Sequence, residues 1–495
     1  MEAPVNGGYL QRPGGWWEYV FIFVLCSTQL FCQIALGYVI IPLGLISKTF
    51  NQDGYEQAAE MNWHAAAYSL TIGSFILVSG RIGDIYGLKN VLVFGWIWFA
   101  MWSLIAGFSA FTHSAIFFDV SRAFQGIGPS LLLPNALAIA GRTYAPGLRK
   151  SVIFSLIAMC APLGGIIGGL AGSALAQYVW WPWITWISGI GCFIVAGTAY
   201  WVVPQDHING SSRKITFDCL GSFFGVGGLL LLNVSWNQAP IDGWSTPYVY
   251  VLSIVGLLLL VAFAYQEKKA EHPIMDIRIF NGRVAGILAT TGLSWTSFGI
   301  WFYYIFQFLQ HIRGISSLES ALRFGPGAIS GMVAPLFVAW SVGKVPTPWL
   351  MVISSSAFFL GALLLATAPV EQTYWFNVFW SFVIMPWGMD ISFPASTLFL
   401  SDSVSIENQG ISASLVNTII NYSIAIGLGI AGTVESEVVK GTSREWILKG
   451  YRGAQWTSVG LAGFGLAVAL LLALGNRQKK PEKCEEDVCQ SEQFT

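Results

Sequence analysis

The sequence predicts an all-α polytopic membrane protein with fourteen transmembrane helices. Three observations lead to this fold class: fourteen successive apolar stretches in 495 residues, a composition with only 10% charged residues, and a mean hydropathy of +0.61. A hydrocarbon core about 30 Å thick needs roughly 20 mostly apolar helical residues to span it. Because a typical soluble domain carries about 25% charged residues, a soluble fold is excluded.

The predicted spans follow one another with short polar connections. The longest polar stretches are the first dozen residues, 48–63, 433–452 and the tail after Asn476. The spans, in chain order, are 17–45, 64–83, 90–110, 114–140, 151–176, 180–203, 217–236, 247–265, 284–308, 320–342, 348–368, 374–400, 409–432 and 454–475.

The lysines and arginines predict that both termini are cytoplasmic. With that orientation, 17 of them fall on the inner side and seven on the outer side, and Arg122 lies inside the membrane. Basic residues are enriched in cytoplasmic loops, so this bias supports the orientation.

The span count predicts two six-helix bundles joined by two extra helices. The segments are a cytoplasmic N-terminus at 1–16, a first bundle at 17–203, a linker with two spans at 204–283, a second bundle at 284–475 and a cytoplasmic tail at 476–495.

Several function classes find no support in the sequence. No Walker-type glycine-rich loop precedes a lysine, which argues against ATP-driven pumping. The five histidines are scattered without metal-ligand spacing, no cofactor motif or basic block for nucleic acid is present, and nothing resembles an enzyme.

The loop after span two combines glycines with charges, which lets two helices approach closely and turn tightly. It resembles the loop signature of the major facilitator superfamily, but Ile85 and Leu88 stand where that family usually has basic residues. The alternative is an ordinary charged turn. The matching residues are Gly80, Asp84, Gly87 and Lys89.

Span four contains an arginine that costs at least about 2.5–3.5 kcal/mol in the bilayer unless it is paired or hydrated. Asp119 lies three residues before Arg122, on the same helix face. Arg122, Gln125 and Gly126 resemble the R-x-x-Q-G signature of the superfamily, which implies a role for Arg122 in proton coupling. A purely structural Asp–Arg pair is the alternative.

Span five carries small residues at a spacing of four, which predicts a flat face for close helix contact. It resembles the antiporter signature G-P-x-x-G-G of the superfamily, although Gly165 stands where proline is usual and Pro162 lies three residues upstream. The alternative is a glycine-rich face that only packs helices together and indicates nothing about the direction of transport. The motif glycines are Gly164, Gly168 and Gly169.

Span twelve places Asp390 well inside the bilayer, between Pro386 and Pro394. Each proline frees a backbone carbonyl for a polar solute or cation. An ionisable residue at this depth is costly to keep charged, so we expect Asp390 to exchange a proton. A carboxyl permanently hydrogen-bonded for packing is the alternative.

Polar and aromatic residues predict a central cavity. Many fourteen-span drug antiporters carry an aspartate in span one, where this chain has glutamines instead. Packing is the alternative role for the glutamines and for the aromatic residues of span nine. The expected cavity residues are Gln29, Gln33, Asn417, Asn421, Trp301 and Tyr304.

Nearly the whole chain resembles one fungal branch of the superfamily, most clearly in the sequence segments around Asp390 and Asn417. That branch holds aminotriazole-resistance-like transporters, boron exporters and low-affinity ammonium-transporter-like proteins. The resemblance implies the major facilitator fold, whose two bundles rock around a midplane cavity.

The resulting hypothesis is proton-coupled export of a small toxic or secreted compound by a monomer in the plasma membrane. The expected partners are this small molecule, protons and membrane lipid. An uncoupled or import-directed facilitator of ammonium or boric acid, a vacuolar location, and a non-transporting membrane sensor are the alternatives.

Overall fold

The computed structural model describes residues 13–50, 58–145, 147–205, 217–270, 273–275, 282–341, 344–402 and 409–477. Most of the predicted cytoplasmic N-terminus (1–16) and of the tail (476–495) therefore lies outside the described residues.

Fourteen long helices account for nearly all of the described residues. A five-residue helix, Leu43–Ser47, follows the first of them, and a π-helical turn, Phe308–Ile312, extends the ninth. The long helices are α1 (Trp16–Ile40), α2 (Ala58–Tyr86), α3 (Leu88–Thr112), α4 (Ala115–Thr143), α5 (Leu148–Tyr178), α6 (Pro182–Val202), α7 (Cys219–Asp242), α8 (Pro247–Lys269), α9 (Gly282–Gln307), α10 (Ser317–Ser341), α11 (Thr347–Ala366), α12 (Asn377–Asp402), α13 (Gln409–Val438) and α14 (Arg444–Arg477).

The predicted all-α fold with fourteen spanning helices is confirmed. Thirteen of the described helices are long and apolar enough to cross a membrane. The exception is α9, whose interior face carries buried hydroxyl residues such as Thr290, Thr291 and Ser294. These lower its hydropathy without exposing polar atoms to lipid.

The prediction of a polar loop over 433–452 is wrong. Helix α13 continues to Val438 and α14 begins at Arg444. The buried residues Leu428, Ala431 and Glu435 recur at helical spacing, so one face of α13 stays in the protein interior as far as Glu435.

The first six and the last six helices pack in the same pattern. In the N-terminal bundle, α1 contacts α5 and α6, α4 contacts α2 and α3, and α3 contacts α6. In the C-terminal bundle, α9 contacts α13 and α14, α12 contacts α10 and α11, and α11 contacts α14. Each set is a six-helix bundle, and the two bundles are structural repeats.

The bundles meet along two seams, α2 against α13 and α5 against α10. Because α10 and α13 are the counterparts of α2 and α5, the two seams are related by the same repeat. Seam glycines allow close approach: Gly73 of α2 lies against the backbone of Tyr422 in α13, and Gly80 lies against Ser414.

The extra helices α7 and α8 are added to one seam only. Helix α7 packs on both α2 and α13, and α8 packs on α7. Trp63 of α2 donates to Gln238 Oε1 at 3.1 Å, and Asn237 Nδ2 donates to the Ala425 carbonyl of α13 at 3.2 Å. Helix α7 is thus hydrogen-bonded to both bundles.

Candidate functional site

Asp390 is a buried acid beside the α5–α10 seam. Its side chain is 8% exposed, and its Oδ2 atom is buried without a hydrogen-bond partner among the described residues. A Cβ added at Gly331 of α10 would lie 2.9 Å from Asp390 Oδ2 and 2.9 Å from Cβ of Pro162 in α5. The carboxyl therefore reaches the contact between the two bundles.

The prolines of α12 shape the helix around this acid. Pro394 cannot donate to the carbonyl of Asp390, four residues earlier, and Pro386 likewise leaves the Phe382 carbonyl free. Ser330 of α10 donates to the neighbouring Val383 carbonyl at 2.7 Å. Cross-helix hydroxyl donors of this kind let an interrupted helix persist in the membrane.

Arg122 is fully buried inside the N-terminal bundle. It donates from Nη1 to Gln125 Oε1 at 2.5 Å and from Nη2 to the Ala35 carbonyl of α1 at 3.0 Å. Its guanidinium lies over the Tyr68 ring at 4.4 Å and near the Tyr38 ring at 5.7 Å. Carbonyl, amide and ring faces thus surround the cation.

Asp119 makes a short side-chain contact with α2. Its Oδ1 lies 2.5 Å from Nδ1 of the buried His64, and His64 packs between the rings of Phe50 and Phe118. The expected Asp119–Arg122 ion pair is absent from the described contacts, because Arg122 reaches forward to Gln125 and across to α1. The N-terminal bundle therefore holds a His–Asp pair and a separate cation.

The glycines of α5 and α4 lie where helices touch backbone to backbone. A Cβ on Gly164 or Gly168 would overlap the carbonyl oxygens of Leu30 and Ile34 in α1. Gly169 meets the side chain of Ile41. On α4, Gly126 meets Thr71 and the Tyr68 carbonyl of α2.

The loop after α2 is tied to both neighbouring helices. Asp84 accepts from Nη2 of Arg142 in α4 at 2.6 Å, and Lys89 Nζ lies 5.3 Å from the Tyr200 ring centre in α6. Gly87 has a φ of 94°, a conformation that favours glycine, and it separates α2 from α3.

The residues predicted to line a cavity divide into two groups. Trp301 donates to Ser381 at 2.7 Å and Tyr304 donates to Glu435 at 2.6 Å; both rings are packed inside the C-terminal bundle. Gln29 and Gln33 of α1 and Asn421 of α13 remain half-buried, whereas Asn417 is buried. Gln33 packs on Gly164, and Asn421 donates to the Asn417 carbonyl.

Sequence reasoning missed Glu435 and His64. Glu435 is 5% exposed and fully inside α13, and His64 is 0% exposed. Glu435 falls in the predicted polar stretch 433–452 and His64 at the first position of predicted span two, and the sequence pattern indicates no role for either. Continuation of the helical pattern through Leu428 and Ala431 is the sequence signal that reveals Glu435.

Two repeated six-helix bundles, meeting at two related seams and carrying buried ionisable groups, define a membrane transporter. The chain belongs to the Major Facilitator Superfamily, whose sequence profile matches residues 22–429. This is a family of transporters and not of enzymes.

Fungal transporters are similar to this chain over almost its full length. A multidrug transporter of the superfamily from Aspergillus fumigatus is 52% identical over 97% of this chain and 84% of the relative. The low affinity ammonium transporter of Saccharomyces cerevisiae is 47% identical over 95% and 91%. The aminotriazole resistance protein of the same yeast is 36% identical over 92% and 83%.

Solved structures show the same fold at low sequence identity. A peptide transporter superposes with a TM-score of 0.65 and 14% identity, over 95% of this chain and 97% of that one. The nucleoside transporter NupG gives a TM-score of 0.60 with 14% identity over 92% and 99%.

Proposed function

We propose that this transporter exports a small toxic or secreted compound in exchange for protons, by alternating access of a midplane site. The main support for this proposal is Asp390, a buried carboxyl with an unpartnered oxygen at the α5–α10 seam. An acid in this position exchanges a proton when movement of the seam admits water or substrate.

Proton coupling supplies energy of the size that export requires. Each proton that enters yields about 1.36 kcal/mol per pH unit and about 2.3 kcal/mol per 100 mV. In this proposal Asp390 carries the proton, Arg122 is a fixed cation of the N-terminal bundle, and Asp119 takes part through His64.

Several further assignments belong to this proposal. The termini face the cytoplasm, the protein is a monomer in the plasma membrane, and Gln29, Gln33 and Asn421 border the substrate. The names of the similar fungal transporters support export of small organic compounds.

The test measures aminotriazole transport by the purified protein in liposomes under an imposed pH gradient. Wild type is expected to accumulate aminotriazole against its gradient, and Asp390→Asn to lose this uphill movement while it keeps exchange at equal pH. The matched control is Asp242→Asn, which removes an exposed carboxylate at the end of α7. Proton-driven uptake that persists in Asp390→Asn would falsify the role of Asp390.

A second candidate function is facilitated movement of ammonium. Its support is the 47% identity to a low affinity ammonium transporter and the absence of an acidic residue in span one beyond Glu18 at its start. Collapsing the proton gradient separates the two candidates. Uphill aminotriazole movement should stop at once, whereas ammonium equilibration through a facilitator should continue.

A further inference from the structure

The two bundles are joined by a further set of contacts at one end of the α5–α10 seam, where Ser317 of α10 donates to Gln310 Oε1 at 2.9 Å. Gln310 Nε2 donates to the Ile41 carbonyl at 2.6 Å, and a Cβ added at Gly44 would lie 3.1 Å from His311 Nε2. Gln310 and His311 lie on the π-helical turn after α9, and Ile41 and Gly44 follow α1. We call these four residues the latch.

Glu435 is a carboxyl buried behind the latch. Its Oε2 accepts from the Tyr304 hydroxyl at 2.6 Å. Among the described residues, no lysine, arginine or histidine nitrogen lies within ion-pair distance of it. A buried carboxylate without a positive partner is strongly disfavoured, so the closed, dry state favours the neutral acid.

A continuous set of side chains connects Glu435 to the latch. Tyr304 lies six residues before Gln310 on the same helix, and its ring is 5.5 Å from that of Tyr451. The Tyr451 hydroxyl is 2.9 Å from His311 Nδ1. A π-helical turn between Tyr304 and the latch is a feature often found at functional sites.

The other titratable groups near this cluster do not neutralise Glu435. Tyr304 faces it from α9 and Tyr451 from α14. At Gly432, one turn earlier, α2 and α7 present Asn62 and Pro240, which do not ionise. Burial, and then the nearby Lys48, lower the pKa of His311, so this imidazole is neutral near pH 7.

We propose that Glu435 is a second proton-binding site, and that its proton permits the latch to close. This inference rests on the proposed proton coupling. A proton that arrives at the open end converts the hydrated carboxylate into a neutral acid, which can then be buried beside Tyr304. Loss of that proton leaves an unpaired charge and favours reopening of the end that the latch holds shut.

The sign of the pH dependence follows from the proton count. The closed state binds one more proton than the open state, so the closed-to-open ratio rises as pH falls, by at most about tenfold per pH unit. Glu435→Gln imitates the protonated acid permanently, so the latch of this variant should remain closed at every pH. Glu437→Gln, which removes an exposed carboxylate two residues away, should respond to pH like wild type.

The experiment measures the distance between spin labels in phosphatidylcholine nanodiscs, without substrate, across about pH 5.5 to 8.5. Labels on non-natural residues at Val179 and Lys440 report on the two bundles at the latch end; both positions are exposed and the native cysteines stay. A wild-type distance that does not change with pH overturns the inference. A full pH response of the distance in Glu435→Gln also overturns it. Tyr304→Phe should keep the pH response, because the acid itself remains.

Failure of this inference is distinguishable from failure of the proposed function. A pH-dependent distance that disappears in Glu435→Gln, together with aminotriazole transport that ignores the pH gradient, overturns proton-coupled export alone. Proton-driven transport of normal rate with a pH-independent distance overturns the role of Glu435 alone.

Discussion

The two bundles repeat one packing pattern but treat their buried charges differently. In the N-terminal bundle, Arg122 has two hydrogen bonds and two aromatic rings around it, and only its Nε lacks a partner among the described residues. In the C-terminal bundle, Asp390 has an oxygen with no partner, and Glu435 has a single tyrosine donor. A cation enclosed by two acceptors and two ring faces suits a fixed part of the structure, whereas acids with few hydrogen bonds suit groups whose protonation changes during transport.

The largest expected effect compares Arg122→Ala with Asp390→Asn in folding stability. Arg122→Ala removes two charge-assisted hydrogen bonds, each worth about 1.5–3 kcal/mol, and should lower the free energy of unfolding by about 3–6 kcal/mol. Asp390→Asn breaks no hydrogen bond at Oδ2 and exchanges one unpartnered polar group for another, so it should change the free energy of unfolding by about 1 kcal/mol or less. Unfolding in mixed detergent micelles measures both. Equal losses would show that Asp390 is structural.

A smaller effect is expected at the α1–α5 contact, where the two helices of the N-terminal bundle approach closely. Gly168→Leu places a side chain against the Ile34 carbonyl and should cost about 1–3 kcal/mol. Gly197→Leu in α6 is the control, because a Cβ there meets nothing within 4 Å. The same unfolding assay applies, and identical values for the two variants would contradict the close approach of α1 and α5.

The smallest effect is expected for the ion pair between Asp84 and Arg142. Their side chains are 30% and 47% exposed, and exposed pairs contribute about 0.2–1 kcal/mol, less at high salt. A double-mutant cycle with Asp84→Asn and Arg142→Gln at low and high salt measures this coupling. A coupling energy above about 2 kcal/mol that does not change with salt would contradict this, because it would show that the ion pair is shielded from solvent.

Most of the fold was predictable because the bilayer imposes a length and a composition on each helix. Asp390 and Arg122 were also recognisable, since a charge inside an apolar run stands out. Glu435 and His64 were not, because they lie near span ends where polar residues are ordinary. The partner of Asp119 depends on how α2 and α4 pack, and spacing along α4 alone favours Arg122 over His64.

Helix α7 is hydrogen-bonded to Trp63 of α2 through Gln238 and to the Ala425 carbonyl of α13. These bonds make the two lateral edges of the protein unequal. No other described helix makes a comparable contact with both α5 and α10. Motion of the bundles is therefore expected to pivot about the edge that α7 fastens and to be widest at the opposite edge. That opposite edge is where Gly331 separates Asp390 from Pro162, so the greatest displacement is expected beside the buried acid.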